Sequence, residues 1–230
     1  MDAPVDLLTP LSANPWFGSV PLAQRKAMLA RSAPVHMRAG EMLFRRGDAP
    51  GGFYGLASGV LKASTLLEDG KEAILSFIEA GNWFGEISLL DNQPRTHDVT
   101  ALGEATVLVL PRAEFDALMA QASFARAMAG LLAGRIRMLY GLVEDATLRS
   151  TRARVARRLL ALARGDVSLS GASRASLPVP QEALAMMLGI TRQTLSKELK
   201  ALAAQGVLAL RYGRMEILAM DRLEALGAAG

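Results

Sequence analysis

The 230-residue chain is 51% hydrophobic and 21% charged, with a formal net charge of +4, two histidines and no cysteine. The lack of cysteine excludes disulfides, thiolate zinc sites and cysteine-ligated iron–sulfur clusters, and two distant histidines, His36 and His97, leave a metal or haem site few ligands. No run of about 18 apolar residues exists to cross a bilayer, and Met1 to Pro15 has no basic segment followed by an apolar core, so a cytoplasmic protein away from membranes is expected.

Charge is unevenly spread. Residues 1–125 carry 10 Lys/Arg against 14 Asp/Glu, whereas residues 126–230 carry 16 against 8. The length suits two modest domains, and a basic second half suits a polyanion such as nucleic acid, although charge alone fits an acidic membrane surface or plain solubility equally well.

In chain order, Pro21 to Arg31 reads as a helix. Residues 39–110 then read as strands cut by glycine turns such as Arg46-Gly47-Asp48, Pro50-Gly51-Gly52, Ser58-Gly59 and Ala80-Gly81-Asn82, with short apolar pieces between them, as in an all-β barrel or sandwich. The period changes at Arg112: a short helix to Gln121, then a long one from Phe124 to about Thr147. Its apolar positions, among them Met128, Leu131, Ile136, Leu139, Leu142 and Val143, cover more than one neighbouring surface needs, so a helix that packs on its own β-domain and on a symmetry mate is expected. Ser150 to Arg164 is a further helix, with Arg152, Arg154, Arg157 and Arg158 around an apolar stripe, followed by a polar loop over Gly165 to Ser176.

Pro180 to Leu188 and Arg192 to Ala203 form two helices broken at Gly189, with Thr191 placed to cap the second. Leu195, Leu199 and Leu202 line its inner face, while Arg192, Gln193, Ser196, Lys197 and Lys200 line the other, a distribution suited to a helix that enters a DNA groove. Gly206 to Leu210 and Met215 to Leu218 flank Arg211-Tyr212-Gly213-Arg214 as a basic wing.

One stretch of the β-region carries a second constellation, Gly85-Glu86-Ile87-Ser88 followed by Pro94-Arg95-Thr96. Gly85 would let backbone amides of Glu86 to Ser88 approach an anion, Arg95 and Thr96 would donate to a phosphate, and Glu86 would accept from a sugar hydroxyl, so a nucleotide monophosphate fits. A Glu86–Arg95 salt bridge that merely pins a loop fits the same spacing.

Together these motifs resemble the Crp/Fnr family of bacterial transcription regulators, through A-G-E-M-L-F-R-R-G-D (39–48), G-E-I-S-L-L-D-N-Q-P-R-T (85–96), the long helix and I-T-R-Q-T-L-S-K (190–197). The resemblance implies an α+β chain: a cyclic-nucleotide-binding β-roll (1–123), a dimerisation helix (124–147) and a winged helix-turn-helix (148–230). It implies a homodimer without enzymatic activity that binds double-stranded operator DNA and works with RNA polymerase. It also implies a cyclic nucleotide, cAMP or cGMP, as candidate effector, with no obligatory cofactor, iron–sulfur cluster, haem or metal. Gly85, Glu86, Ile87, Ser88, Arg95 and Thr96 would hold its ribose and phosphate, Leu75 would line the pocket, and Leu139 and Tyr140 would meet the base. Gln181 would touch DNA phosphate, and Thr191, Arg192, Gln193, Thr194, Ser196, Lys197 and Lys200 would face the operator.

There are departures. The cAMP-binding members use two hydroxyl side chains on the long helix to read adenine, where this chain has Leu139 and Tyr140. Asp98 could repel a phosphate if it turned inward. Gln193 and Lys197 stand where many members have Glu and Arg, which predicts an altered half-site. A regulator of the same family with no cyclic-nucleotide effector, a cyclic-nucleotide module acting on proteins, and an enzyme using Glu86, Arg95 and His97 are the alternatives.

Overall fold

The computed structural model describes residues 7–66, 68–165 and 174–229. Residues 166–173 of the polar loop expected over Gly165 to Ser176, and the first six residues, lie outside that range. The chain divides into two compact units, one running to Thr65 and resuming over Leu75–Gly134, the other made of Leu66–Ile74 and the chain from Arg135.

The first unit opens with three helices, α1 (Leu8–Leu11), α2 (Pro15–Ser19) and α3 (Leu22–Arg31). Sequence reading finds only the third. The second is set locally: the Asn14 side chain accepts from the N–H groups of Trp16 and Phe17, and Pro15 supplies a first helical residue that needs no N–H partner. Eight strands follow: β1 (Ala33–Met37), β2 (Met42–Phe44), β3 (Gly52–Ser58), β4 (Val60–Leu66), β5 (Glu72–Glu79), β6 (Trp83–Phe84), β7 (Asp98–Ala101) and β8 (Ala105–Pro111); α4 (Glu86–Asp91) sits between β6 and β7. They make two four-stranded sheets, in the orders β1-β8-β3-β6 and β2-β7-β4-β5, a jelly-roll arrangement. Strands begin six residues earlier than expected. All five residues of β1 pair antiparallel with β8, yet the first four are exposed, so no hydrophobic alternation announces the strand.

Two apolar clusters hold this unit. One lies inside the roll, around Phe44, Tyr54, Leu56, Leu61, Phe84, Val99 and Val107. The other joins the leading helices, α5 (Arg112–Met119) and the start of α6 (Ala122–Leu148) to the outer sheet through Phe17, Phe53, Trp83, Phe115, Phe124 and Met128. Each such side chain contributes about 1.5–3 kcal/mol on burial. Of the 27 residues of α6, only Phe124 and Met128 are buried, while Ile136, Leu139, Tyr140 and Val143 are exposed large apolar residues.

The second unit contains α7 (Thr151–Ala163), β9 (Ser176–Leu177), α8 (Gln181–Leu188), α9 (Arg192–Ala204), β10 (Leu208–Arg211), β11 (Arg214–Ile217) and α10 (Met220–Ala228). The expected wing is present as β10 and β11, and β9 adds a third strand on the far side of β11. Neither β9 nor α10 is anticipated by the sequence. β9 has only two residues, and α10 packs on α7 and buries Leu223 completely.

Candidate functional site

Two sets of side chains carry the chemistry, one in each unit. In the first, Gly85 takes φ 93° and serves as the N-cap of α4. A Cβ there would stand 2.8 Å from Tyr54 Cδ2 and 3.0 Å from Arg95 Nη1, so both the backbone conformation and the space require glycine. The helix α4 that follows buries Glu86, Ser88 and Leu89.

Arg95 lies beneath this turn, only 3% exposed. Its Nη1 donates to the Gly85 carbonyl at 2.7 Å and its Nη2 to the Gly52 carbonyl at 2.9 Å, with the Tyr54 hydroxyl at 3.4 Å. The guanidinium carbon is 4.5 Å from the centroid of the Phe44 ring and 5.2 Å from that of Tyr54, a cation between two π faces. Its Nε is buried with no hydrogen-bond partner. The partners that hold Arg95 are thus carbonyls, a phenol and rings, and a Glu86–Arg95 ion pair is not among those of the described residues. Backbone bonds fix the arginine's own residue: its N–H donates to the Asp48 carbonyl and its carbonyl accepts from the Gly47 N–H, each at 2.9 Å. The Arg46-Gly47-Asp48 turn is therefore half of the cradle.

The remaining predicted ligand residues surround this point. Glu86 is wholly buried and Ser88 is buried, its hydroxyl donating to the Pro94 carbonyl at 3.3 Å. Thr96 and Ile87 are exposed, and the Thr96 hydroxyl lies 2.8 Å from His97 Nδ1. The Asp98 carboxylate accepts from the Arg46 N–H at 2.7 Å, which fixes its position on the same turn. Asn92 ends α4 in the left-handed region and accepts from Arg112 Nη1 at 2.8 Å, which anchors the loop leading back to Arg95. Leu75, on β5, is half exposed; Leu139 and Tyr140, on α6, belong to the second unit and are exposed. Sequence reading missed Phe44, Tyr54 and Gly52, which hold the arginine from two other strands.

In the second unit, α8 ends at Gly189, whose φ of 63° lets the chain turn into α9. Thr191 caps α9 as expected, accepting from the Thr194 N–H at 3.1 Å, and the two threonine hydroxyls are 2.9 Å apart. Leu195, Leu199 and Leu202 are completely buried, which leaves Arg192, Gln193, Lys197 and Lys200 exposed on the other side, with Ser196 half-buried between them. Gln181 opens α8 half-buried. Arg192 approaches Glu182 at 3.9 Å, a surface contact too long and too exposed to hold it.

The arginines of α7 behave differently. Arg152 pairs with Glu198 at 2.9 Å, Arg157 with Asp145 at 2.6 Å, and Arg154 donates to the Leu188 carbonyl at 2.6 Å, tying α7 to the end of α8. In the wing, Glu216 accepts from both Arg211 at 3.3 Å and Arg214 at 3.1 Å, and the bond from Arg211 holds its carboxyl below the usual carboxylate range. Tyr212 stands fully exposed at the tip.

Comparison with known proteins places a known family on each unit. Residues 34–122 match the family of cyclic nucleotide-binding domains, and residues 153–226 match the Crp-like helix-turn-helix domain. The chain is 31% identical over 188 residues to the Cyclic AMP receptor protein of Thermus thermophilus, covering 81% of this chain and 84% of that protein. It is 30% identical over 201 residues to the nitrogen fixation regulation protein FixK of Bradyrhizobium diazoefficiens, covering 85% and 82%. The structure of FixK2 from Bradyrhizobium japonicum superposes with a TM-score of 0.75 at 22% identity, over 86% of this chain and 98% of that one. With a cyclic-nucleotide-binding roll at one end and a Crp-like helix-turn-helix at the other, the chain belongs to the Crp/Fnr family and is a DNA-binding transcription regulator.

Proposed function

We propose that this regulator is controlled by a cyclic nucleotide, cAMP or cGMP, seated on Gly85, Glu86, Ile87, Ser88, Arg95 and Thr96, with Leu75, Leu139 and Tyr140 as pocket and base contacts. The observation that carries this is Arg95: a cation held between Phe44 and Tyr54 directly under the Gly85 turn, with a buried Nε–H that still lacks an acceptor. An anionic oxygen supplies that acceptor, and a charge-assisted bond to phosphate is the strong kind. Buried Glu86 suits a ribose hydroxyl. The Thermus relative is named for cyclic AMP.

Two copies would associate through the exposed face of Ile136, Leu139, Tyr140 and Val143 on α6. Arg192, Gln193 and Lys197 of each copy would read base edges, with Thr191, Thr194, Ser196, Lys200 and Gln181 on or near the backbone, in successive major grooves about 34 Å apart. The effector acts by binding one arrangement of the paired helices better than the other. RNA polymerase is the downstream partner, the cytoplasm the compartment, and no step requires catalysis. The domain limits are 1–123, 124–147 and 148–230.

A second reading is favoured by Leu139 and Tyr140, neither of which offers the paired short hydroxyls that read adenine, and by the carbonyls already on both Arg95 terminal nitrogens. In that reading the family fold is kept and the effector is another small anion or none. Calorimetric titration with cAMP and with cGMP decides between the two. Heat with either nucleotide, lost in Arg95→Ala, supports the first; no heat with either supports the second.

A further inference from the structure

Resting on the reading of the cradle as a cyclic-nucleotide site, we infer that His97 is a positioning residue for the phosphate: a proton on its Nδ1, which the doubly protonated ring always carries, decides what the Thr96 hydroxyl offers to the anion. The Thr96 Oγ1 to His97 Nδ1 distance is 2.8 Å, and Thr96 is exposed one residue after the buried Arg95. A hydroxyl has one proton. When His97 is neutral with Nδ1 bare, the Thr96 proton is donated to the ring, and only oxygen lone pairs face a bound phosphate. When His97 carries two protons, Nδ1–H donates to Thr96 Oγ1, and the hydroxyl proton is released to donate to the phosphate. The second state also adds a positive charge beside the anion. The imidazole sits against the Phe44 ring, with centroids 6.2 Å apart, and Arg95 lies over the same ring, so the histidine is built into the wall of the cradle.

Among the described residues, the charged groups on the elements around His97 include Arg45, Arg46 and Asp48 on the turn after β2, Lys62 on β4, which pairs with β7, and Arg95 and Asp98 on its own segment. Guanidinium groups stay charged at every relevant pH. Histidine is the side chain that ordinarily changes charge between about pH 5 and 8. The cyclic phosphodiester keeps its single negative charge there, so the ligand contributes no step of its own. Binding that favours protonated His97 is strong on the acid side of the histidine range and weakens as pH rises through it.

The test is calorimetric titration with cAMP and cGMP at about pH 6 and about pH 8, in buffers of differing ionisation enthalpy that read proton uptake. The wild-type chain should bind about fivefold more tightly at the lower pH and take up protons on binding. His97→Phe and Thr96→Val should each flatten the pH profile. The other histidine, His36, lies on β1 beside Thr106, and His36→Gln should keep the profile. Binding that is independent of pH in the wild type, or a profile that survives in both His97→Phe and Thr96→Val, overturns the inference and leaves the cyclic-nucleotide reading intact. Absence of binding at both pH values overturns both.

Discussion

The cradle around Gly85, proposed as an anion site, and α9, proposed as the helix that meets DNA, present their polar groups in opposite ways. Around Gly85 the polar groups are sunk into the protein: Glu86 is 0% exposed, Ser88 2% and Arg95 3%, each positioned before any ligand arrives. On α9 the polar groups stand out in solvent, while three fully buried leucines fix only the helix beneath them. A small ligand has few atoms with which to offset the cost of ordering, so its site must be ordered in advance. A duplex supplies many phosphates and bridging waters, and long flexible side chains can adjust to it.

The largest effect that sharpens this contrast should come from Arg95→Ala. It strands the Gly85 and Gly52 carbonyls and leaves a gap between two rings, so unfolding of the first unit should be easier by about 2–4 kcal/mol. Chemical denaturation followed by Trp16 and Trp83 fluorescence checks this, and a stability near wild type would mean that the cradle is not preorganised. On α9, Arg192→Ala or Lys197→Ala should leave unfolding unchanged and weaken operator binding by about 1–3 kcal/mol, with a shallower salt dependence where a phosphate contact is lost. Equilibrium binding across a salt series reads that difference. Thr191→Ala should fall between stability and function, costing about 1 kcal/mol of cap energy and loosening the first turn of α9.

The smallest effect belongs to the wing. Glu216→Gln should free Arg211 and Arg214 for DNA phosphates, raising affinity about twofold and steepening the salt slope without moving the unfolding midpoint. Because the folded carboxyl sits below its ordinary value, the restraint of Glu216 on these arginines holds at neutral pH and fades as pH falls through the carboxylate range.

Elements with a strong local signal were legible in the sequence. Glycine turns marked the β-roll, leucine spacing marked α9, and Thr191 caps α9 as expected. What stayed hidden depends on contacts between distant segments. Phe44 and Tyr54 come from different strands and meet only when the roll closes over Arg95. The exposed β1 and the two-residue β9 lack a period of their own and exist because β8 and β11 offer them an edge. The arginines of α7 add to the basic charge of the second half, yet the partners of three of them, Asp145, Glu198 and the Leu188 carbonyl, lie up to 46 positions away.

That last feature bears on how the regulator searches a genome. An isoelectric point near 9.8 suggests a chain that clings to any duplex. With Arg152, Arg157, Arg211 and Arg214 already engaged by carboxylates, fewer cations remain to displace condensed counterions, and indiscriminate attachment should be correspondingly weaker. Short residence on the wrong sequences leaves more of the protein free to find the few right ones.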